Sequence, residues 1–395
     1  MLAAAQGVPV GITGLGVHVP ERIVTNEEMA TIVDTSDEWI RERTGIRERR
    51  FAADDEALTD IALPAARAAL EDAGVEAADI DFLVCATVTP DMMFPTSSAL
   101  LADALGAPRA AAYDLLAGCT GFVYAIAQAY AMLASGLSRK ALVVGGDVLS
   151  KILDWEDRST LVLFGDGAGA VVMETVDRGG FLGFELGADG GGGEYLWYPG
   201  SGSRHFDDAG SFVKMNGREV FRFATRVMVS SATAILDECG KTVDEVDVYV
   251  PHQANKRIID YAAAKLGIPP EKTIVNVDRY GNTSSGSIPL ALADARAEGR
   301  LPDGTLVLID YTPDEVPALG GSFDNVQSGP ETNFGTATTY VFSQSERLPE
   351  CNGRPCVDIF INDGSGGGWA VLGGGPSLAV AQAIAEHVAQ SIRYG

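Results

Sequence analysis

Cys119 stands in Ala117-Gly-Cys-Thr-Gly121 and is followed by the helical run FVYAIAQAYAML. A glycine turn leading into a helix puts this thiol at a helix N-terminus. There the dipole and the open N–H groups favour the thiolate, which is the reactive form. A buried structural thiol is the commoner fate of a cysteine, and Cys119 taken alone fits either role. His252 follows the apolar strand Val246–Val250, in Val250-Pro-His-Gln-Ala-Asn255. Open α/β sheets hold their sites beyond the carboxyl ends of strands, although a lone histidine is more often a satisfied core or surface residue. Asn282 lies in Arg279-Tyr-Gly-Asn-Thr-Ser-Ser-Gly-Ser287, where capping a helix after a glycine turn is the alternative role. A cysteine, a histidine and an asparagine in one pocket suit covalent thiol catalysis, with two hydrogen-bond donors aimed at an acyl oxygen.

The other candidates are weaker. Cys85 and Cys239 read as packing, His18, His205 and His387 as structural, and Cys351 and Cys356 lack the neighbours of a zinc site. Gly165-Asp-Gly-Ala-Gly-Ala170 fits a dinucleotide fingerprint formally, but it leads into Val171-Val172 rather than a helix. It reads as a tight hairpin turn.

The elements that must position the three residues come in two copies. Leu70–Asp81 (LEDAGVEAADID) runs into FLVCATVTP, and Leu236–Asp247 (LDECGKTVDEVD) runs into VYVPHQANK. Each reads as a helix closed by a glycine (Gly74, Gly240), a turn and an apolar strand. Leu105-Gly-Ala-Pro108 matches Leu266-Gly-Ile-Pro269, Gly118-Cys119 falls level with Gly281-Asn282, and Leu142–Val144 matches Leu306–Leu308, at offsets of 161 to 166 residues. This predicts a duplicated pair of α/β halves joined near Asp177–Gly180, whose pseudo-two-fold brings Cys119 and Asn282 to one pocket. Ala62–Asp72 and Met228–Asp237 are helical by pattern. Phe82–Ala86, Ala141–Val144, Leu161–Phe164 and Ala170–Met173 read as buried strands of a largely parallel sheet. Stacked halves give α/β/α/β/α layers.

The chain has 395 residues, 46% apolar and 21% charged, enough for a sizeable core. Its 54 acidic against 29 basic residues give a net charge of −25, which argues against nucleic acid and anionic membranes as partners. The opening MLAAAQGVPVG does not read as a secretory signal, and the few scattered cysteines fit a reducing cytoplasm. Tyr311–Gly395 differs from the rest, with 13 glycines and no lysine. There Tyr311–Pro330 reads as loop, Thr336–Ser343 as β-prone and Pro376–Ile392 as helix.

Taken together these residues resemble β-ketoacyl-acyl-carrier-protein synthase III, of the thiolase-like superfamily. The likeness spans residues 9–309. It includes Gly14–Pro20, Thr35–Ile40, Arg43–Arg47, Asp114–Gly121, Asp157-Arg158, Phe164–Gly169, Lys214–Phe221, Pro251–Asn255 and Gly281–Ser284. The resemblance implies a thiolase-like fold, with an N-terminal half over 1–178, a C-terminal half over 179–310 and an atypical segment over 311–395. It implies decarboxylative Claisen condensation of an acyl-CoA with malonyl-acyl-carrier protein by a cytoplasmic homodimer, with no metal or redox cofactor. Cys119 would accept the acyl group, while His252 and Asn282 would hold the malonyl thioester carbonyl. Trp39, Arg43 and Arg158 would bind coenzyme A, and Phe94 would limit the acyl pocket across the dimer interface. Arg257 resembles a contact for the carrier protein, and Lys214, Arg222 and Lys256 would complete a local basic patch. Solvated basic helix faces would look the same.

The departure follows the strand Leu306–Ile309. The family continues into a Gly-rich turn whose N–H, with that of the cysteine, forms the oxyanion hole; here Asp310-Tyr-Thr-Pro-Asp-Glu-Val-Pro317 stands. Gly364–Leu372 faintly resembles the displaced turn and strand, which would make Asp310–Asp363 an insertion of 54 residues. The rival readings are a secondary-metabolism ketosynthase or acyltransferase of the same fold, and an inactive relative that binds coenzyme A or acyl-carrier protein.

Overall fold

The computed structural model describes residues 1–5, 8–200, 202–203, 211–302, 304–310, 357–362 and 368–373. The chain divides into two compact units, Met1–Leu319 and Gly320–Gly395. The first opens with β1 (Leu2–Ala4), β2 (Val10–His18), β3 (Ile23–Thr25), α1 (Asn26–Ile32), α2 (Asp37–Thr44), β4 (Glu48–Arg50) and α3 (Leu58–Ala73). It continues with β5 (Phe82–Ala86), α4 (Ser97–Leu105), β6 (Ala111–Leu115), α5 (Gly121–Ala134), β7 (Lys140–Asp147), α6 (Arg158–Leu161) and β8 (Gly167–Thr175). Then follow β9 (Gly183–Glu185), β10 (Leu196–Trp197), β11 (Lys214–Met215), α7 (Gly217–Glu238) and β12 (Val248–Pro251). The unit's last described elements are α8 (Lys256–Leu266), α9 (Val277–Tyr280), α10 (Ser287–Ala297) and β13 (Val307–Asp310). In the second unit β14 (Val357–Asn362) pairs antiparallel with β15 (Gly368–Gly373). The sequence readings of Tyr311–Pro330, Thr336–Ser343 and Pro376–Ile392 lie outside the described residues, as do Cys351 and Cys356. Of Gly364–Leu372, residues 368–372 form strand, in β15.

Strand side chains alternate, and that alternation sorts the first unit into layers. The five-stranded sheet runs β2-β8-β7-β5-β6. On one face Leu83, Cys85, Leu142 and Val144 pack against α3 and α4. On the other, Phe82, Val84, Ala86 and Val143 meet Phe122, Ala125 and Ile126 of α5 with Ile288, Ala291 and Ala295 of α10. Val248 and Val250 of β12 close the same cluster from the far side. Tyr249 and Leu308 face outward onto α7 and α8, among Met228, Ala232, Ile258 and Ala262. The order is therefore α/β/α/β/α, a thiolase-like fold with α5 and α10 as the middle layer. In the second half β12 runs parallel to β13 and forms a parallel bridge to Thr273, as β5 runs parallel to β7 and β6.

The sheet is largely parallel, as expected, with one reversed strand: β2, β7, β5 and β6 run the same way, and β8 runs antiparallel to its neighbours β7 and β2. Two local readings need correction. Leu161–Phe164 is not a strand. Asp157 caps Ser159 N–H at 2.8 Å and starts α6, whose end and following turn consume the apolar run. Gly165–Ala170 is not a hairpin turn, because β8 is already extended from Gly167. Its glycines serve close approach: a Cβ on Gly169 would run into Pro289 of α10, and one on Gly165 into the Tyr280 carbonyl.

The same constraint fixes α3 on β2. A Cβ on Gly16 would strike the Ala65 carbonyl oxygen and the Ala69 nitrogen, and one on Gly14 the Ala69 carbonyl oxygen. Gly16→Ala is therefore expected to cost about 1–3 kcal/mol by overpacking, read as a lower urea midpoint at unchanged slope.

Candidate active site

Two turns meet at the carboxyl end of the five-stranded sheet. Gly118, at φ +57°, opens a short 3-10 turn, Gly118–Thr120, that places Cys119 directly before α5. Cys119 is 6% exposed. The turn Ser284–Gly286 occupies the corresponding place before α10. Asn282 precedes it, held by its own backbone: its N–H donates to Leu163 O and its carbonyl accepts from Gly165 N–H, both at 2.9 Å. Its side-chain Oδ1 accepts from Ser284 N–H at 2.9 Å, which leaves Nδ2 as the end able to donate elsewhere. The two turns are joined directly, because the Ser285 hydroxyl donates to the Gly118 carbonyl at 3.1 Å.

Both rest on Asp147, the last residue of β7, which is fully buried. Its carboxylate accepts from the Thr87 hydroxyl (2.9 Å), Val88 N–H (2.8 Å), the Thr89 hydroxyl (2.9 Å) and Ser285 N–H (3.3 Å). Burial raises its pKa above the usual carboxylate value, opposed by hydrogen bonds from Val88, Ser284, Thr87 and Thr89. Sequence reasoning missed both Asp147 and Ser285. The available signal was a strand ending in a lone acid and a serine-rich turn of the same length as the cysteine turn.

His252 follows β12, where the sequence put it. Its N–H donates to the Asp310 carbonyl at 2.7 Å, and Tyr249 O–H donates to the Asp310 carboxylate at 2.6 Å. The next residue, Gln253, ties this loop to the asparagine turn. Its N–H donates to the Ser287 hydroxyl at 2.7 Å, and its side-chain oxygen accepts from Asn276 N–H at 2.8 Å. The imidazole is 1% exposed, and among the described residues neither ring nitrogen has a hydrogen-bond partner. Burial lowers its pKa to about 4, so the ring is neutral at pH 7. A buried polar ring left without partners costs about 1–3 kcal/mol.

Trp39, Arg43 and Arg158 also come together. The Arg158 guanidinium lies 4.8 Å from the Trp39 ring centre and that of Arg43 lies at 6.0 Å. Ser36 caps α2 through Trp39 N–H at 3.1 Å, and Asn255, which caps α8, donates to Arg43 O at 3.2 Å. Beneath this group Arg49 is fully buried and donates to Asn26 Oδ1 (2.9 Å) and Val162 O (2.8 Å). Burial lowers its pKa to about 10, which keeps it charged at pH 7.

Phe94 is 83% exposed, next to Met92 and Met93, also exposed, so among the described residues it lines no enclosed pocket. Each of the four basic residues has a partner on its own surface. Arg257 of α8 stacks on Phe221 of α7 at 5.5 Å and Lys214 on Trp197 at 5.1 Å. Arg222 and Lys256 are paired with Glu219 (3.1 Å) and Asp260 (2.6 Å) on their own helices.

Known proteins resemble this chain over most of its length. Residues 113–190 match the profile described as 3-oxoacyl-[acyl-carrier-protein] synthase III, and residues 236–310 match its C-terminal counterpart. A β-ketoacyl-[acyl-carrier-protein] synthase III of Symbiobacterium thermophilum is 54% identical over 307 residues, covering 76% of this chain and 93% of that protein. One from Bacillus anthracis is 48% identical over 301 residues, covering 76% and 94%. The crystal structure of the Thermus thermophilus synthase III superposes with a TM-score of 0.73 at 47% identity, covering 77% of this chain and 96% of that one.

The buried ring makes stability depend on pH in a defined direction. Its folded pKa lies below the unfolded 6.5, so the unfolded chain binds the extra proton. As pH falls from 6.5 to 4, the wild type is expected to lose up to about 3 kcal/mol relative to His252→Ala. Urea unfolding of both proteins across that range measures the difference.

Proposed function

The chain belongs to the 3-oxoacyl-[acyl-carrier-protein] synthase III family, and on that premise we propose how its residues divide the work. The reaction is decarboxylative Claisen condensation of an acyl-CoA starter with malonyl-acyl-carrier protein, which initiates fatty-acid synthesis. The chain is an acyltransferase of this type. Family membership favours that reaction over secondary-metabolism chemistry and over a non-catalytic binding role.

In our reading Cys119 attacks the acyl-CoA thioester carbonyl; the C–S bond to coenzyme A breaks and its thiolate leaves. The malonyl thioester then loses CO2, and the electron pair of the broken C–C bond moves into an enolate. Neutral His252, through a ring N–H, and Asn282, through Nδ2, donate to the enolate oxygen. The carbanion attacks the acyl-Cys119 carbonyl and expels the Cys119 thiolate. The observation that carries this division is the pairing of a hydrogen-bonded cysteine turn and asparagine turn with a buried, neutral imidazole that has no hydrogen-bond partner among the described residues. Two fixed donors at the oxygen where charge develops lower the decarboxylation barrier, and no metal or redox group is required.

Trp39 would stack on the adenine of coenzyme A while Arg43 and Arg158 pair with its phosphates. Phe94, exposed here, would complete the acyl pocket of a second copy in a homodimer. Carrier protein would dock on Arg257, with Lys214, Arg222 and Lys256 around it. The two halves would meet at 178/179, with 311–395 as the atypical, Gly-rich segment that follows them in sequence. We assign the protein to the cytoplasm; among the described residues no helix is long and apolar enough to cross a membrane.

Incubation with acetyl-CoA is expected to add a single acetyl mass to the wild type and none to Cys119→Ala. His252→Ala and Asn282→Ala should still take the acetyl group, yet lose about 10²–10³ in malonyl decarboxylation. Acetylation of Cys119→Ala, or equal loss of both steps in the other variants, would reject the division. Trp39→Ala should raise KM for acyl-CoA about tenfold by losing one stacked base, with kcat little changed.

A further inference from the structure

Ser285 has no part in the scheme above, yet its hydroxyl donates to the carbonyl of the residue before the proposed nucleophile, Gly118, at 3.1 Å. The Gly118 carbonyl and the Cys119 N–H are the two ends of one peptide unit. In a trans peptide they point in opposite directions and cannot turn independently. A bond that fixes the carbonyl therefore fixes the direction of the N–H. The same carbonyl accepts from Gly121 N–H in the 3-10 turn. A carbonyl that accepts hydrogen bonds makes the N–H at the other end of its peptide a stronger donor.

Ser285 is itself held on several sides. It is fully buried, and its N–H donates to Asp147 at 3.3 Å. Its hydroxyl sits where Gly121 has no side chain: a Cβ there would lie 3.0 Å away. Gly145 leaves room for its carbonyl, which would be 2.6 Å from a Cβ at that position. The preceding Ser284 takes a φ of +50°, a backbone angle unusual for any residue but glycine. The donor is thus set before substrate arrives, which is when a donor acts most strongly on a developing charge.

We propose that Ser285 is a positioning residue. Its hydroxyl holds the Gly118–Cys119 peptide so that the Cys119 N–H is presented to the oxyanion formed when the Cys119 thioester is made and broken. This rests on the reading of Cys119 as the acyl carrier.

The test uses the full chain and its Ser285→Ala variant, with two rates at Cys119 read by mass spectrometry. One is single-turnover acetylation by acetyl-CoA; the other is alkylation by iodoacetamide, which passes through no oxyanion. Acetylation is expected to fall about tenfold, less than the 10²–10³ that follows loss of a whole donor, while alkylation and the melting temperature hold. Ser285→Thr, which keeps the hydroxyl, should restore most of the acetylation rate. Acetylation of Ser285→Ala at the wild-type rate would overturn the role, and so would an equal fall in both rates, which marks a collapsed turn. A folded wild type that takes no acetyl group would instead overturn the reading of Cys119, and the role of Ser285 with it.

Discussion

One buried carboxylate holds the centre of this molecule together. Asp147 ends β7 where three loops converge: Thr87–Thr89 after β5 and the Ser284–Gly286 turn donate to it, and the Ser285 hydroxyl of that second turn donates in its turn to the Gly118 carbonyl of the Gly118–Thr120 turn. Removing a carboxylate from water is costly, and only a nearly complete set of donors offsets it. The loops cannot drift without leaving a buried acceptor unsatisfied. The carboxylate is thus a constraint on distance: it sets how far the cysteine turn stands from the asparagine turn, and neither sequence segment specifies that distance alone.

The middle helical layer makes such a meeting possible. α5 starts at the cysteine turn after β6 and α10 at the Ser284–Gly286 turn after α9; both lie between the two sheets, so their N-terminal turns emerge side by side. Small residues permit the approach. Ala125, Ala129, Ala291 and Ala295 line the helix contacts, and Gly145, Gly167 and Gly169 let α10 and its leading turn lie on the strands. Bulk at any of these positions would push the halves apart and open the site. The duplicated architecture therefore places two unlike residues, Cys119 and Asn282, in like positions on two turns that are hydrogen-bonded to each other.

Much of this was legible in the chain itself. Cys119, His252 and Asn282 each follow a strand or a glycine turn, and the 161–166-residue offset aligned the first with the third. Trp39 and Arg158 were legible only through family likeness, since nothing in a separation of more than a hundred residues predicts a stacked pair. Leu161–Phe164 misled because a four-residue apolar run fits a strand or a helix end equally well; the Asp157 cap decided it. Gly165–Ala170 misled because glycine marks both turns and close backbone approach, and only the position of Pro289 tells them apart. Asp147 and Ser285 are ordinary residue types, and what sets them apart is burial, which the sequence does not print.

The two halves of the proposed chemistry draw on different stretches of chain. Asn282 is anchored by Leu163 and Gly165, and His252 by the carbonyl of Asp310, the last residue that the family profiles match. The proposed enolate site therefore draws its anchors from residues up to the point where the sequence departs. The acyl step is different. In the family its oxyanion is held by the cysteine N–H and by a Gly-rich turn after the last matched strand, where this chain continues Asp310-Tyr-Thr-Pro. Of those two donors, the one inside the matched region is the N–H whose direction Ser285 controls. Acyl transfer should thus depend on the Ser285–Gly118 bond whichever group supplies the second donor, because two donors that share one oxyanion must both be aimed at it.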